Sequence, residues 1–347
     1  MIKSLTSLRG VFILFIFFHH CLNLYPGGGS MAVAFFFVLG GFSMTLGYKD
    51  RVMKSDFNYK QYIMRRCIKF YPLHWLCLLA VLPLSLLPLS LYKGIFLLAN
   101  VTLTHTLIPL KAFYFSYNAV SWYLADTMFF AVLFPFLLKW ILGANTKVKA
   151  TIAICFAIIY SLVAIFIPVE MHHAILYISP YIRLSDFVFG VFLALGYLKL
   201  KEKPIVFLKN NILTLSLVLI LVVLLVVESC MLSEEARLFA PVYWPLVALL
   251  ILIASLSEVN SGVGKILSSK ILLRLGNLSF SLFLIHFVVL RWTTKVFEYY
   301  QIEQPVIYII LTLMLSLVLS DVVERYILNH VTQWLTKKIQ PSMTARS

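Results

Sequence analysis

Charge is what this sequence has least of. Only 12% of its 347 residues are Asp, Glu, Lys or Arg, where soluble domains carry about a quarter, and so few charges cannot cover a surface facing water. Acidic residues are scarcer still, fourteen against twenty-nine Lys plus Arg. The five cysteines, Cys21, Cys67, Cys77, Cys155 and Cys230, form no close pair, which excludes a disulfide framework and gives no metal site. Internal repeats and low-complexity segments are absent. The longest loops, 49–69 and 92–119, are too short to fold alone as a soluble domain.

What fills the space is apolar. Hydrophobic residues make up 61% of the chain, the mean hydropathy is +0.94, and many runs exceed 18 residues, enough at about 1.5 Å per residue to cross a hydrocarbon core of roughly 30 Å. The sequence predicts an all-α polytopic integral membrane protein, a single domain over 1–347. Ten spans are expected near 7–24, 31–48, 70–91, 119–142, 150–168, 177–198, 212–228, 241–257, 275–294 and 305–327. The first has the look of a signal peptide, yet Tyr25-Pro-Gly-Gly-Gly-Ser30 leads straight into another apolar run, so it reads as a retained helix. A further stretch, 94–110, is short and carries Asn100, Thr102, Thr104 and His105; it reads as interfacial or re-entrant.

The net charge of +15 would suggest nucleic acid in a soluble protein. Position argues otherwise. With both termini on the cytoplasmic side and 94–110 not crossing, twenty-three basic residues fall on inner loops and helix ends. Six fall outside: Lys93, Lys111, Arg183, Arg237, Arg291 and Lys295. That asymmetry is the positive-inside pattern and needs no nucleic-acid partner. The expected location is the inner (plasma) membrane.

Ionisable groups inside spans cost about 2.5–3.5 kcal/mol at a helix centre and mark function by default. Arg9 and His20 both lie in the first span, eleven residues apart. In a helix that is three turns plus about 20°, so the side chains share a face about 16–17 Å apart along the axis. Arg9 could then hold phosphate at the cytoplasmic end while His20 acts as general base at the far end of a long ligand. The same spacing also admits a positive-inside anchor and an interhelical hydrogen bond. Arg65, Arg66 and Lys69 at the start of the third span read either as a cytoplasmic collar or as a phosphate site. Asp126 lies in the fourth span, where it could orient a sugar or pair with His20. Arg183 and Asp186, three apart, suit an intrahelical ion pair. His74, His105 and His286 read as satisfied donors in apolar surroundings, Asp321 and Glu324 have Arg325 at hand, and His172 and His173 share no helical face.

Several segments resemble the membrane acyltransferase 3 family. Ser7-Leu-Arg-Gly-Val-Phe-Ile-Leu-Phe-Ile-Phe-Phe-His-His20 is similar to the family's opening, where ten residues lie between an Arg and a His, with His20 rather than His19 in the matching place. Phe36-Phe-Val-Leu-Gly-Gly-Phe42 and Arg65-Arg-Cys-Ile-Lys-Phe-Tyr-Pro72 resemble two further motifs. Fainter echoes follow in order at Ser121-Trp-Tyr-Leu124, Arg183-Leu-Ser-Asp-Phe-Val-Phe-Gly190, Gly276-Asn-Leu-Ser-Phe-Ser-Leu-Phe-Leu-Ile-His286 and Glu324-Arg-Tyr326. Three positions depart from the pattern: Gly40 where Ser is usual, Lys69 where Arg is common, and Ala34 where many members have Asp. The usual acid of the Trp122 segment falls one place after Asp126.

The resemblance implies transfer of an acyl group, usually acetyl from acetyl-CoA, to a hydroxyl of a cell-envelope glycan or glycolipid. His20 with Arg9 would be catalytic. Arg9, Arg65, Arg66 and Lys69 would hold the acyl-CoA donor, and Trp122 and Asp126 would contact the acceptor. The expected partners are acyl-CoA, a saccharide or glycolipid acceptor and the lipid bilayer, with a homo-oligomer left open; no metal is called for. A rival from another class is a transporter or flippase for a lipid-linked saccharide, against which stand the missing inverted repeat and the scarcity of mid-span acids.

Overall fold

Lipid offers no partner to a peptide N–H or C=O, so a chain crossing it closes its hydrogen bonds within each segment. The computed structural model describes residues 2–25, 27–85, 90–202, 210–257 and 267–339. Pro26, Lys203, Lys209, Lys265 and Arg346 lie outside the described residues. Among the described residues every regular element is a helix. The principal ones are α1 Lys3–His20, α2 Gly28–Val52, α3 Tyr59–Ser85, α4 Leu91–Val101, α5 Ser121–Gly143 and α6 Thr146–Phe166. They continue with α7 Pro180–Leu200, α8 Asn211–Met231, α9 Trp244–Ser257, α10 Lys270–Tyr299, α11 Pro305–Val322 and α12 Asn329–Ile339. Polar residues begin three of them. The side chains of Ser90, Asn145 and Asn210 accept the N–H of Lys93, Val148 and Leu213, occupying donors that would otherwise be orphaned at the starts of α4, α6 and α8.

Nine described helices are long and apolar enough to cross a membrane, the last of them running unbroken from Pro305 to Lys338. They correspond to nine of the ten expected spans, and the chain is a multi-pass, all-α membrane protein. The tenth, α1, has 18 residues, about 27 Å of helix, and carries Lys3, Arg9, His19 and His20. Helix α3 starts well before the expected 70, so Arg65, Arg66 and Lys69 stand on the helix itself.

Helix α4 has 11 residues, roughly 17 Å and too short to cross. This agrees with a non-crossing 94–110. Its last carbonyls are capped by one face of α3: His74 Nε2 donates to the carbonyl of Asn100 at 2.8 Å, Trp75 Nε1 to that of Val101 at 3.0 Å, and the Tyr71 hydroxyl to that of Thr102 at 2.9 Å.

The chain divides into two compact units, one of Met1–Ser55 with Leu133–Ser279 and one of Asp56–Val132 with Phe280–Ser347. In the first, α2 and α7 touch backbone to backbone. A Cβ added at Gly41 would collide with the Phe187 carbonyl, and one at Gly190 with the Val38 carbonyl. Without a hydrophobic drive between helices in lipid, such small-residue contacts let dispersion act over the whole interface. Helix ends assigned to one side of the membrane also meet each other. Ser4 donates to the Ala254 carbonyl at 2.6 Å near the inner ends of α1 and α9, and Tyr25 hydrogen-bonds Ser229 at the outer ends of α1 and α8. In the second unit the Tyr59 and Tyr62 hydroxyls donate to carbonyls of Val132 and Ala131 at 3.1 and 2.9 Å. Asp321 pairs with Arg325 at 2.9 Å, and Glu324 accepts from Ser281.

The Gly41 and Gly190 contact sets a first test. Ala is favoured over Gly inside a helix by about 1 kcal/mol, so Gly47→Ala, with open space around it, should be neutral or stabilising. Gly41→Ala and Gly190→Ala should instead destabilise by about 1–3 kcal/mol or more through overpacking. Thermal unfolding of the purified protein in detergent measures both; equal midpoints for all three variants would refute the backbone contact.

Candidate functional site

Arg9, Ile13, Ile16 and His20 form one row along α1, since steps of four, three and four residues return nearly to the same face. Ile13 and Ile16 are buried, while Arg9 and His20 are half-buried at the two ends of the row. The row thus joins a cation to an imidazole through two isoleucines enclosed by their neighbours. His20 is the last residue of α1, and its Nδ1 lies 2.9 Å from the carbonyl of Ile16. A carbonyl only accepts, so Nδ1 carries the proton and the neutral ring has its lone pair on Nε2. That is the tautomer a general base needs at its outward nitrogen.

Its neighbour is held differently. The His19 ring lies against Gly29, where an added Cβ would stand 2.6 Å from Cδ2 and 2.8 Å from Nε2. Gly29 therefore exists to let His19 pack against α2, which leaves His20, about 100° around the helix, as the ring not committed to that seam. The two rings meet edge to face at 5.0 Å. Directly after them, Leu22 and Asn23 adopt left-handed backbone, φ 55° and 52°. For Leu22 this costs about 1–2 kcal/mol. No motif in the sequence signals that strained turn.

His286 shows that the tautomer lock alone is not decisive. Its Nδ1 donates to the Leu282 carbonyl at 2.9 Å in the same way, yet the residue is wholly enclosed. His74 and His105 are likewise buried; His74 caps Asn100, and His105 Nε2 lies 3.3 Å from the Ser121 hydroxyl. Burial, with His74 close by, drives the His105 imidazole down to about 3, so it stays neutral. Each is a core histidine that uses Nε2 in a structural contact.

On α3 the basic trio separates. Arg65 and Lys69, four residues apart, share an exposed face, whereas Arg66 is buried with its guanidinium 5.3 Å from the Tyr62 ring centre. Trp122 and Asp126 open α5, both buried, Asp126 completely. Beside them Ser121, Asn100 and Ser116 form a hydrogen-bonded group, with Asn100 Nδ2 donating to the Ser116 hydroxyl at 2.6 Å. In the sequence Ser121 stands out only as the first residue of a motif and Ser116 not at all, because a small hydroxyl side chain gives no signal of its own. Of the expected site residues, Arg9 and His20 belong to the first unit. Arg65, Arg66, Lys69, Trp122 and Asp126 belong to the second.

Arg183 and Asp186 form the expected ion pair at 3.0 Å, fully buried in the first unit. Trp244 Nε1 donates to Asp186 Oδ1 at 2.7 Å, and the guanidinium stands 4.9 Å from the ring centre of Phe37 and 5.7 Å from that of Tyr177. At Gly40, where Ser is usual, an added Cβ would meet the Phe187 ring at 3.8 Å, an ordinary contact, so the departure reflects no steric demand. Among the described residues no group of three or more His, Cys, Asp or Glu is arranged to hold a metal ion.

Two proteins of Staphylococcus aureus are similar to this chain over nearly its whole length, both named "Putative O-acetyltransferase". That of strain COL is 25% identical over 349 residues, 94% of this chain and 56% of the relative. That of strain MSSA476 is 25% identical over 347 residues, 93% and 56%. The chain thus spans about half the length of these curated relatives. No solved structure matches it. The family model described as "Acyltransferase domain" covers residues 2–325, which takes in α1 with Arg9 and His20, the basic face of α3 and the start of α5, and the chain belongs to that family.

Proposed function

We propose that this protein moves an acyl group, acetyl in the simplest case, from acyl-CoA at the cytoplasmic face of the plasma membrane to a hydroxyl of a cell-envelope glycan or glycolipid. The observation that carries the reading is the Nδ1 bond of His20 to the Ile16 carbonyl, which turns a basic Nε2 away from α1 at the far end of a row beginning with Arg9. Membership of the acyltransferase family supports the reaction class.

The chemistry balances with one imidazole. Nε2 of His20 takes the proton of the acceptor hydroxyl as its oxygen attacks the thioester carbonyl. The C–O bond forms, the C–S bond breaks, and the proton passes from His20 to the departing thiolate of CoA. The bond to Ile16 holds the ring in place throughout, and a fixed ring spends no orientation entropy at the moment of reaction. An acyl-histidine relay would use the same Nε2 as nucleophile. Arg9 anchors the donor along the row. Arg65 and Lys69, on the exposed face of α3, are suited to CoA phosphates, and Trp122 and Asp126 to the acceptor.

His20→Ala should lower transfer by about 10²- to 10⁴-fold. His19→Ala should retain most activity, because its ring packs on Gly29. Arg9→Ala should act chiefly on donor binding, and Arg9→Lys should recover part of the loss. Transfer assays in membranes, with expression matched, decide this; a His20→Ala enzyme with near wild-type turnover refutes the assignment of the base.

The split of the basic trio gives a second test. Arg65→Ala should weaken acetyl-CoA binding about tenfold with the thermal midpoint unchanged, as expected for a lost charge-assisted bond. Lys69→Arg should bind as well or better, since it gains a planar donor fork. Arg66→Ala should lower the midpoint as well, because it removes a buried side chain stacked on Tyr62. Calorimetric binding with parallel unfolding curves measures both quantities, and normal CoA binding by Arg65→Ala would reduce the cluster to a topology signal.

A further inference from the structure

The peptide that follows His20 is strained and is held from its two ends. Cys21 is wholly buried, and its N–H donates to the Phe17 carbonyl at 2.8 Å. Leu22, Asn23 and Leu24 are all exposed, so packing of their side chains does not hold the left-handed backbone of Leu22 and Asn23. A strained backbone persists only where its surroundings over-determine it. Here those surroundings are Cys21 on one side and Tyr25 on the other.

Tyr25 is fastened to three helices of the first unit. Its ring meets that of Phe15 on α1 edge to face, with centroids 5.6 Å apart. The start of α2 lies against the same ring: a Cβ added at Gly28 would stand 2.3 Å from Tyr25 Cδ1 and 2.9 Å from the Phe15 carbonyl oxygen. The Tyr25 hydroxyl reaches α8 at Ser229. Ser229 donates its own hydroxyl hydrogen to the Val226 carbonyl at 2.8 Å, so in the bond between them Tyr25 is the donor and Ser229 the acceptor. The acceptor is itself fixed. Arg237 donates from Nε to the Ser229 carbonyl at 2.8 Å and from Nη2 to the Cys230 carbonyl at 3.3 Å. A Cβ added at Gly27 would stand 2.5 Å from that same Ser229 carbonyl oxygen. The turn therefore meets Ser229 twice, through the backbone of Gly27 and through the hydroxyl of Tyr25.

His20 depends on what this turn does. It is the last residue of α1, where helices fray, and its Nδ1 bond to the Ile16 carbonyl survives only while that last turn stays helical. Phe15, which Tyr25 braces, directly precedes Ile16. We propose that Tyr25 is a positioning residue for His20: its ring on Phe15 and its hydroxyl on Ser229 hold the strained turn closed, so that the end of α1 keeps Nε2 turned away from the helix. The inference rests on the transferase reading only for what the fixed ring is used for.

The test uses the full chain in detergent and alkaline buffer, isotopically labelled at the histidine ring nitrogens, with the His20 signals identified by their loss in His20→Ala. Nuclear magnetic resonance distinguishes an N–H from a bare ring nitrogen, so it reports the tautomer without any assay of transfer. The wild type should show one form, with the proton on Nδ1. Tyr25→Phe and, from the other side of the bond, Ser229→Ala should show a mixture of the two tautomers. Tyr160→Phe is the structural control, because it removes another buried hydroxyl of the same unit, bonded to the Leu176 carbonyl at 3.0 Å. It should lower the thermal midpoint and leave the His20 signals unchanged. In transfer assays Tyr25→Phe should lower kcat by about 3- to 30-fold, as for a displaced reacting group, with KM for acetyl-CoA within about twofold of wild type. Adding Leu22→Gly to Tyr25→Phe should recover part of that loss, since glycine adopts left-handed backbone freely. Unchanged His20 signals in both Tyr25→Phe and Ser229→Ala, or the same change in Tyr160→Phe, would overturn the positioning role. A mixed tautomer in Tyr25→Phe, alongside a wild type that transfers no acyl group, would leave that role standing and overturn the transferase reading.

Discussion

A polar group without a partner is expensive in lipid, and much of this structure follows from meeting that demand inside the protein. On α11 the hydroxyls of Thr312, Ser316 and Ser320 each donate to the carbonyl four residues earlier, at 2.7, 2.6 and 2.6 Å, so a buried polar stripe is satisfied by its own helix. Where a helix stops short of crossing, the partners come from elsewhere: Tyr71, His74 and Trp75, one face of α3, cover the last carbonyls of α4. The buried pair Arg183 and Asp186 follows the same rule. Arg183 has Asp186 and two aromatic faces, and Asp186 has the Trp244 indole as well.

Against that background the half-buried His20 is distinctive. Each of the buried histidines His74, His105 and His286 is used up as a structural hydrogen-bonding group, and His19 is pressed into a glycine seam. His20 combines a fixed tautomer with partial exposure and an aligned cation three turns away. Neither the ring nor its bond to Ile16 is unusual; His286 has both. Position at the open end of the helix separates a candidate base from a packing residue.

Much of this was legible in the sequence because it is governed by length and period. Apolar run length located the spans, the polar residues of 94–110 flagged a segment that does not cross, and the three-residue spacing of Arg183 and Asp186 foretold their pair. The eleven-residue step from Arg9 to His20 specified a shared face. What could not be read depends on which neighbour each helix face meets. Arg65 and Arg66 are adjacent and chemically alike, yet one is exposed and the other stacked on Tyr62. Tyr25 and Ser229 come together only through the packing of α2 and α8, over some two hundred residues of chain, and no local pattern announces it.

The Gly41 and Gly190 contact also has a meaning in time. The two residues lie 149 positions apart in the chain, and synthesis at about 5–20 residues per second separates their appearance by roughly 7–30 s. Throughout that interval α2 already sits in the bilayer with its narrowest face lined by lipid tails, and the arrival of α7 must expel them. The glycine that makes the mature interface tight thus makes the newborn helix wait for its partner, and the membrane serves as its temporary mould.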